Sequence, residues 1–188
     1  MDQAKYALES KKWRTCRYAR YHGVPKKEKK LGKGHLGDFP RIGLGKMPRS
    51  YIMNFKFQVD DKMGNDKTPM FEFGHHVSRI YFGDNGIQLL SDTAKPVTKK
   101  LHMEIKGFKL EPYKWYEVLA EVGEEHLFVQ IKDQLGQVTK FQCHNPKFKT
   151  SSNNSFQIAS TVQGTLKMDD ITFWESKGNK QDWQQALK

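Results

Sequence analysis

The sequence lacks the short patterns that mark the common chemistries. Its 188 residues contain no G-x-S-x-G turn for a serine nucleophile, no GxxxxGK[ST] phosphate loop and no E-x-D carboxylate spacing. Each absence removes a mechanism: acylation at a nucleophile elbow, nucleotide cradling by a glycine loop, and sugar cleavage by two carboxylates aimed from one strand. Cysteine is scarce as well. Cys16 and Cys143 are too few for a disulfide framework, and the seven histidines show no zinc-ligand spacing, so neither a metal nor a cofactor is expected. The two thiols either bridge the N-terminal segment to the loop after Phe141 or stay free. No run approaches the roughly 20 apolar residues of a membrane-crossing helix, so no membrane span is expected.

Helical periodicity is also thin, confined to a short apolar side (Ala4, Tyr6, Ala7, Leu8) in residues 1 to 12. Alternation is what the chain has instead. Tyr51, Met53, Phe55, Phe57 and Val59 share one face of a strand, with Ile52, Asn54, Lys56 and Gln58 on the other. Residues 68 to 82 read as one or two strands. Asp84-Asn85-Gly86 is a hairpin turn, Ile87 to Leu90 the returning strand, and His102 to Ile105 a further short one. Trp115 to Val122 and Leu127 to Ile131 form a hairpin about Gly123, and Val138 to Phe141 extends it to a meander. Strands from Phe156 to Val162 and from Met168 close the pattern. In the last, strict alternation puts Asp169 with Ile171 and Phe173, and Asp170 with Thr172 and Trp174. A 12% aromatic share against only 37% hydrophobic residues suits sheets with half-wet faces. The expected fold is all-β, a two-sheet antiparallel sandwich forming a single domain over residues 1 to 188.

Charge is one-sided: 32 Lys and Arg against 21 Asp and Glu give a formal net charge of +11. That balance favours polyanions, whether nucleic acid, acidic lipid surfaces or acidic polysaccharide. Part of it lies in Lys26-Lys27-Glu28-Lys29-Lys30, inside a Gly/Lys/Pro-rich surface connection spanning about residues 22 to 48. Trp13 to Tyr21 interleaves aromatic and basic residues, which serves either stacking on nucleic acid or the blocking of an exposed strand edge. The turn at Asp60 to Asp66 is rich in carboxylates but lacks EF-hand spacing. A polar tail begins near residue 176.

Lys114-Trp115-Tyr116, the Gly123 turn before Val129-x-Ile131-x-Asp133, and Asp169-Asp170-Ile171-x-Phe173-Trp174 together resemble the concanavalin A-like or laminin-G jelly-roll superfamily. Within it, residues 51 to 174 look most like the bacterial 3-keto-disaccharide hydrolase-like proteins, a family first described as a domain of unknown function. The resemblance implies two curved sheets, a polysaccharide or oligosaccharide ligand on a face or rim, and a periplasmic or extracellular location. The first residues, MDQAKYALESKKWR, hold no apolar signal core, so export requires a leader removed ahead of them.

Candidate ligand-binding residues follow from type and placement. Trp115 and Trp174 could stack on sugar faces, each pointing away from its strand's apolar side. Arg79 and Tyr81 share a strand face, and Arg79 could pair an acidic group. His76-x-x-Arg79 resembles a run in the same bacterial relatives, although one continuous strand would set His76 and Arg79 on opposite faces. Glu117 and Glu121 share a face but lie about 13 Å apart, beyond the reach of a retaining pair. A glycan-binding or accessory module is therefore the leading expectation. A glycoside-cleaving enzyme is the alternative, and nucleic-acid binding through residues 13 to 33 the remote one.

Overall fold

The alternation at Tyr51–Val59 becomes the central strand of a sheet. A computed structural model describes residues 41–44, 47–61, 69–83, 85–92, 99–151, 154–159 and 166–176. Among them are eleven strands: β1 Arg41–Leu44, β2 Tyr51–Val59, β3 Met70–Phe73, β4 Ser78–Gly83, β5 Gly86–Asp92, β6 Lys99–Lys106, β7 Trp115–Val122, β8 His126–Lys132, β9 Val138–His144, β10 Phe156–Ala159 and β11 Leu166–Glu175. One short helix, α1 (Lys147–Thr150), follows β9. No helix among the described residues is long and apolar enough to cross a membrane.

The strands form a six-stranded sheet in the order β1-β10-β3-β4-β5-β6 and a five-stranded sheet in the order β11-β2-β7-β8-β9. Every pairing is antiparallel. The fold is a two-sheet antiparallel jelly-roll sandwich. Its inner faces meet through Phe55 and Phe57 of β2, Phe71 of β3, Phe82 of β4, Tyr116 of β7 and Phe156 of β10, all buried. Phe57 and Phe71 pack edge to face at 4.9 Å and 87°. Such contacts add about 0.5–1.5 kcal/mol each beyond the burial of the rings.

Turn chemistry sets the registers. Gly123 N–H donates to His126 O at 2.9 Å, closing the β7–β8 hairpin. After β8, Asp133 Oδ1 accepts from Leu135 and Gln137 N–H at 2.9 and 2.8 Å, a side chain standing in for backbone at the turn into β9.

Two expectations need revision, and one left open is answered for Cys143. Arg41–Leu44, expected inside a surface connection, is a strand: it pairs with β10 and so covers backbone groups that would otherwise form a bare edge. The closing strand begins at Leu166 rather than Met168, and its alternation breaks at a bulge between Asp169 and Thr172. Asp170 takes a left-handed φ of 51° there. The extra residue resets the period, so the buried Ile171 and Phe173 lie opposite Asp169, which joins the outer side with Thr172 and Trp174. Cys143 is a buried free thiol, 3.7 Å from Ser78 Oγ. Cys16, the 1–12 helix, the aromatic-basic stretch at 13–21, the basic run at 26–33, residues 62–66 of the carboxylate turn and the tail from 177 lie outside the described residues.

Candidate functional site

Between β3 and β4 the chain turns through Gly74, φ +69°, and His76, φ 64°. A histidine in the left-handed region is strained relative to glycine and needs the surrounding structure to hold it. Two backbone contacts do so: His76 N–H donates to Glu72 Oε1 at 2.7 Å, and His76 O accepts from Asp92 N–H at 3.3 Å. Because His76 sits in this turn and not in the strand, it does not lie opposite Arg79. Its imidazole reaches the Arg79 guanidinium and places Nδ1 2.5 Å from Asp92 Oδ2.

Arg79 is the hub. Its Nε donates to Glu72 Oε1 and its Nη1 to Asp92 Oδ1, both at 3.0 Å, with only 10% of its side chain exposed. Burial alone would weaken the charge, but Glu72, Tyr81 and Asp92 more than offset it and hold the guanidinium above its usual range. Tyr81, also buried, lies next to this network on the side of the sheet facing away from the main core, where it clusters with Met70, Leu90 and Ala159. Burial pushes its hydroxyl up, opposed by Arg79. The accessible part of the group is the His76 imidazole, whose side chain is 43% exposed.

The tryptophans belong to the other sheet. Trp174 and Trp115 both stand on its outer side, half-buried, but they pair with β2 at Ile52 and Gln58 respectively. Six residues of strand put them about 20 Å apart, so they do not form one site. Trp174 walls a pocket of about 380 Å3 together with Asn54, Lys56, Glu117, Asp170 and Thr172. The bulge builds this pocket by pushing Asp170 outward, where its Oδ2 takes a 2.6 Å hydrogen bond from Lys56 Nζ. That bond, followed by the charge of Asp170, holds the Lys56 ammonium above its usual range. Asn54 Nδ2 donates to Glu117 Oε1 at 3.3 Å, and Lys132 Nζ stands 3.9 Å from Glu117 Oε2.

The five candidate residues thus separate into two groups on opposite sides of the sandwich: His76, Arg79 and Tyr81 on one sheet, Trp115 and Trp174 on the other. Sequence reasoning missed Glu72, Asp92, Asn54, Lys56 and Glu117 as members of these groups. Glu72 was within reach, since it faces Arg79 across one hairpin. Asp92, two strands from Glu72, carried no local signal. Among the described residues, no group of three His, Cys, Asp or Glu side chains is placed to hold a metal ion.

No protein-family model matches the chain, and no curated protein does. Solved structures do resemble it. The receptor-binding domain of botulinum neurotoxin mosaic serotype C/D superposes with a TM-score of 0.50 at 8% identity, covering 79% of this chain and 39% of that one. A seed lectin of Lotus tetragonolobus gives 0.47 at 10% identity, covering 75% and 76%. A single-substitution variant of human galectin-16 gives 0.46 at 10% identity, covering 72% and 94%. At such identities the likeness speaks to the fold alone, a jelly-roll sandwich.

Proposed function

We propose that this protein binds carbohydrate, with the Trp174 pocket as its ligand site. The observation that carries the reading is the company Trp174 keeps. A partly buried indole stands beside two carboxylates, an amide, a hydroxyl and an ammonium, with the Glu117, Lys56 and Asp170 side chains 38%, 44% and 54% exposed. A sugar presents an apolar C–H face and a rim of hydroxyls. The indole takes the first, and the mixed donors and acceptors take the second. The ligand is a neutral or acidic oligosaccharide or polysaccharide, and the place of action the periplasm or the cell exterior.

The test is a glycan array with the full chain, followed by calorimetry on the hits. Trp174→Ala is expected to weaken binding at least tenfold, while Trp115→Ala leaves it unchanged. A chain that binds no glycan, or a Trp174→Ala variant that binds as well as the parent, overturns the reading.

A second reading, a glycoside-cleaving enzyme of the 3-keto-disaccharide hydrolase-like kind, is favoured by the His76–Asp92 pair. In the tautomer that donates Nδ1–H to Asp92 Oδ2, the imidazole keeps its lone pair on Nε2, the arrangement of an oriented general base; Arg79 Nη2, which can only donate, favours the other tautomer at the same nitrogen. Product analysis on any bound glycan separates the two. Turnover abolished by His76→Gln supports the enzyme, and binding without turnover supports the module.

A further inference from the structure

A second groove lies where the edge strands of the two sheets meet. It measures about 590 Å3 and draws its walls from Lys100, Leu101 and His102 on β6, from His126 and Phe128 on β8, and from β9. That volume is within the range of small-molecule sites. On β9 it is lined by Gln142, Cys143 and His144, and the strand register sets His126 beside His144 and Phe128 beside Gln142. The polar side chains are therefore an ammonium, three imidazoles and an amide, since the Cys143 thiol turns into the core beside Ser78. Among the described residues of the lining there is no carboxylate.

We infer that this groove is an anion site, taking a small ligand that carries an oxyanion such as a sulfate, phosphate or carboxylate group. The argument is one of uncompensated positive potential. Lys100 stands at the mouth, and Lys147 of α1 adds its charge to the field at His102. At the other end Glu125, in the β7–β8 turn, lies 3.9 Å from His144 Nε2 and shares the Lys149 ammonium with Glu124 at 3.9 and 4.0 Å, so the positive potential is centred on the Lys100 and His102 end of the groove. The imidazoles register the imbalance. Burial first, then Lys100 and Lys147, push His102 below its ordinary value, and burial followed by His144 does the same to His126. Neighbouring cations that resist one another's protonation are stabilised together when an anion enters. Ser91 Oγ holds His102 Nε2 at 2.8 Å, so one wall of the groove is fixed in advance. Phe128, 4.7 Å from the His126 ring, supplies an apolar surface for the body of the ligand. The site is independent of the Trp174 pocket.

The experiment follows the imidazole resonances of the full chain by NMR. Sodium sulfate, sodium phosphate and sodium glucuronate are titrated separately, each against sodium chloride at matched ionic strength. Saturable shifts at His102 and His126 are expected with at least one oxyanion and not with chloride. The arm that saturates at the lowest concentration identifies the source of the group. Lys100→Ala, at an exposed position on an edge strand, should weaken the response about tenfold, and Lys100→Ala with His126→Gln should abolish it. Trp174→Ala should leave it intact. Shifts that follow ionic strength alike in all four salts, that survive the double substitution, or that vanish in Trp174→Ala, overturn the inference.

Discussion

His76 Nδ1 stands 2.5 Å from Asp92 Oδ2, and the same carboxylate receives the Arg79 guanidinium through Oδ1 at 3.0 Å. The β3–β4 turn is thereby tied to the end of β5. His76 holds its left-handed backbone because Glu72 and Asp92 grip it from two strands.

Removing Arg79 should be the most damaging change in this network. Arg79→Met leaves Glu72 and Asp92 buried without their shared cation, and breaking a buried pair in this way costs about 3–5 kcal/mol. Urea denaturation of Arg79→Met and Arg79→Lys at pH 7.5 checks it, since the lysine keeps a cation beside the two carboxylates. Equal deficits in the two variants would show that the lost packing, and not the stranded charge, sets the cost.

Asp92→Asn should cost less, about 2–3 kcal/mol, because Glu72 still neutralises Arg79. It should also change His76 more than it changes the core. The His76 ring resonance should shift while the urea slope, which reports surface exposed on unfolding, stays constant. An unchanged ring resonance would mean that Asp92 does not hold the imidazole in solution.

The part of this arrangement that could be read in advance is the part set by local period. Tyr51 to Val59 alternates over nine residues, and every odd position is in the core. The meander from Trp115 to Phe141 was legible for the same reason, with Gly123 marking its first turn, although its last strand runs on to His144. Period counting failed where one residue left the extended region. Asp170 looks like any strand residue until its φ of 51° inserts a bulge, and His76 looks like one until its φ of 64° makes a turn. No residue type forces either conformation, since each is held by tertiary partners: Lys56 for Asp170, and Glu72 with Asp92 for His76. The groove at the β6–β9 seam was hidden for another reason. His126 and His144 pair across one hairpin, but Lys100 joins them only through the stacking of the two sheets.

Gly86 shows how tightly β5 and β6 approach. Its φ is +126°, and a Cβ there would stand 1.9 Å from the Ile105 carbonyl oxygen. That oxygen is backbone in the paired strand and cannot step aside as a side chain would. Gly86→Ala should therefore cost about 3 kcal/mol or more, from strain together with the opened pairing. Amide hydrogen exchange should show protection lost around Ile105 and Lys106 before it is lost in β7 or β8. Equal loss throughout both sheets would mean that the two unfold as one unit.

Glu121 makes the pH dependence of stability testable at a single group. It sits on the outer side of the five-stranded sheet, between Ile52 and Phe128 in the register, and is buried with Oε2 lacking a hydrogen-bond partner among the described residues. Burial pushes its carboxyl up to about 7. The unfolded chain, with an ordinary glutamate, releases this proton near pH 4.3, so between there and pH 7 the folded state binds more protons than the unfolded one. Stability from this group is thus fully present below about pH 4.3, falls as pH rises through 7, and levels off above it. Glu121→Gln removes the titration and keeps the shape. At pH 8 it should stabilise the protein by on the order of 2 kcal/mol, allowing for partial screening, and near pH 4 it should be close to neutral. Denaturation midpoints of parent and variant at half-unit steps from pH 4 to 8 give the difference directly. If the gap fails to widen with pH, Glu121 titrates as an ordinary carboxylate and is solvated in the folded state.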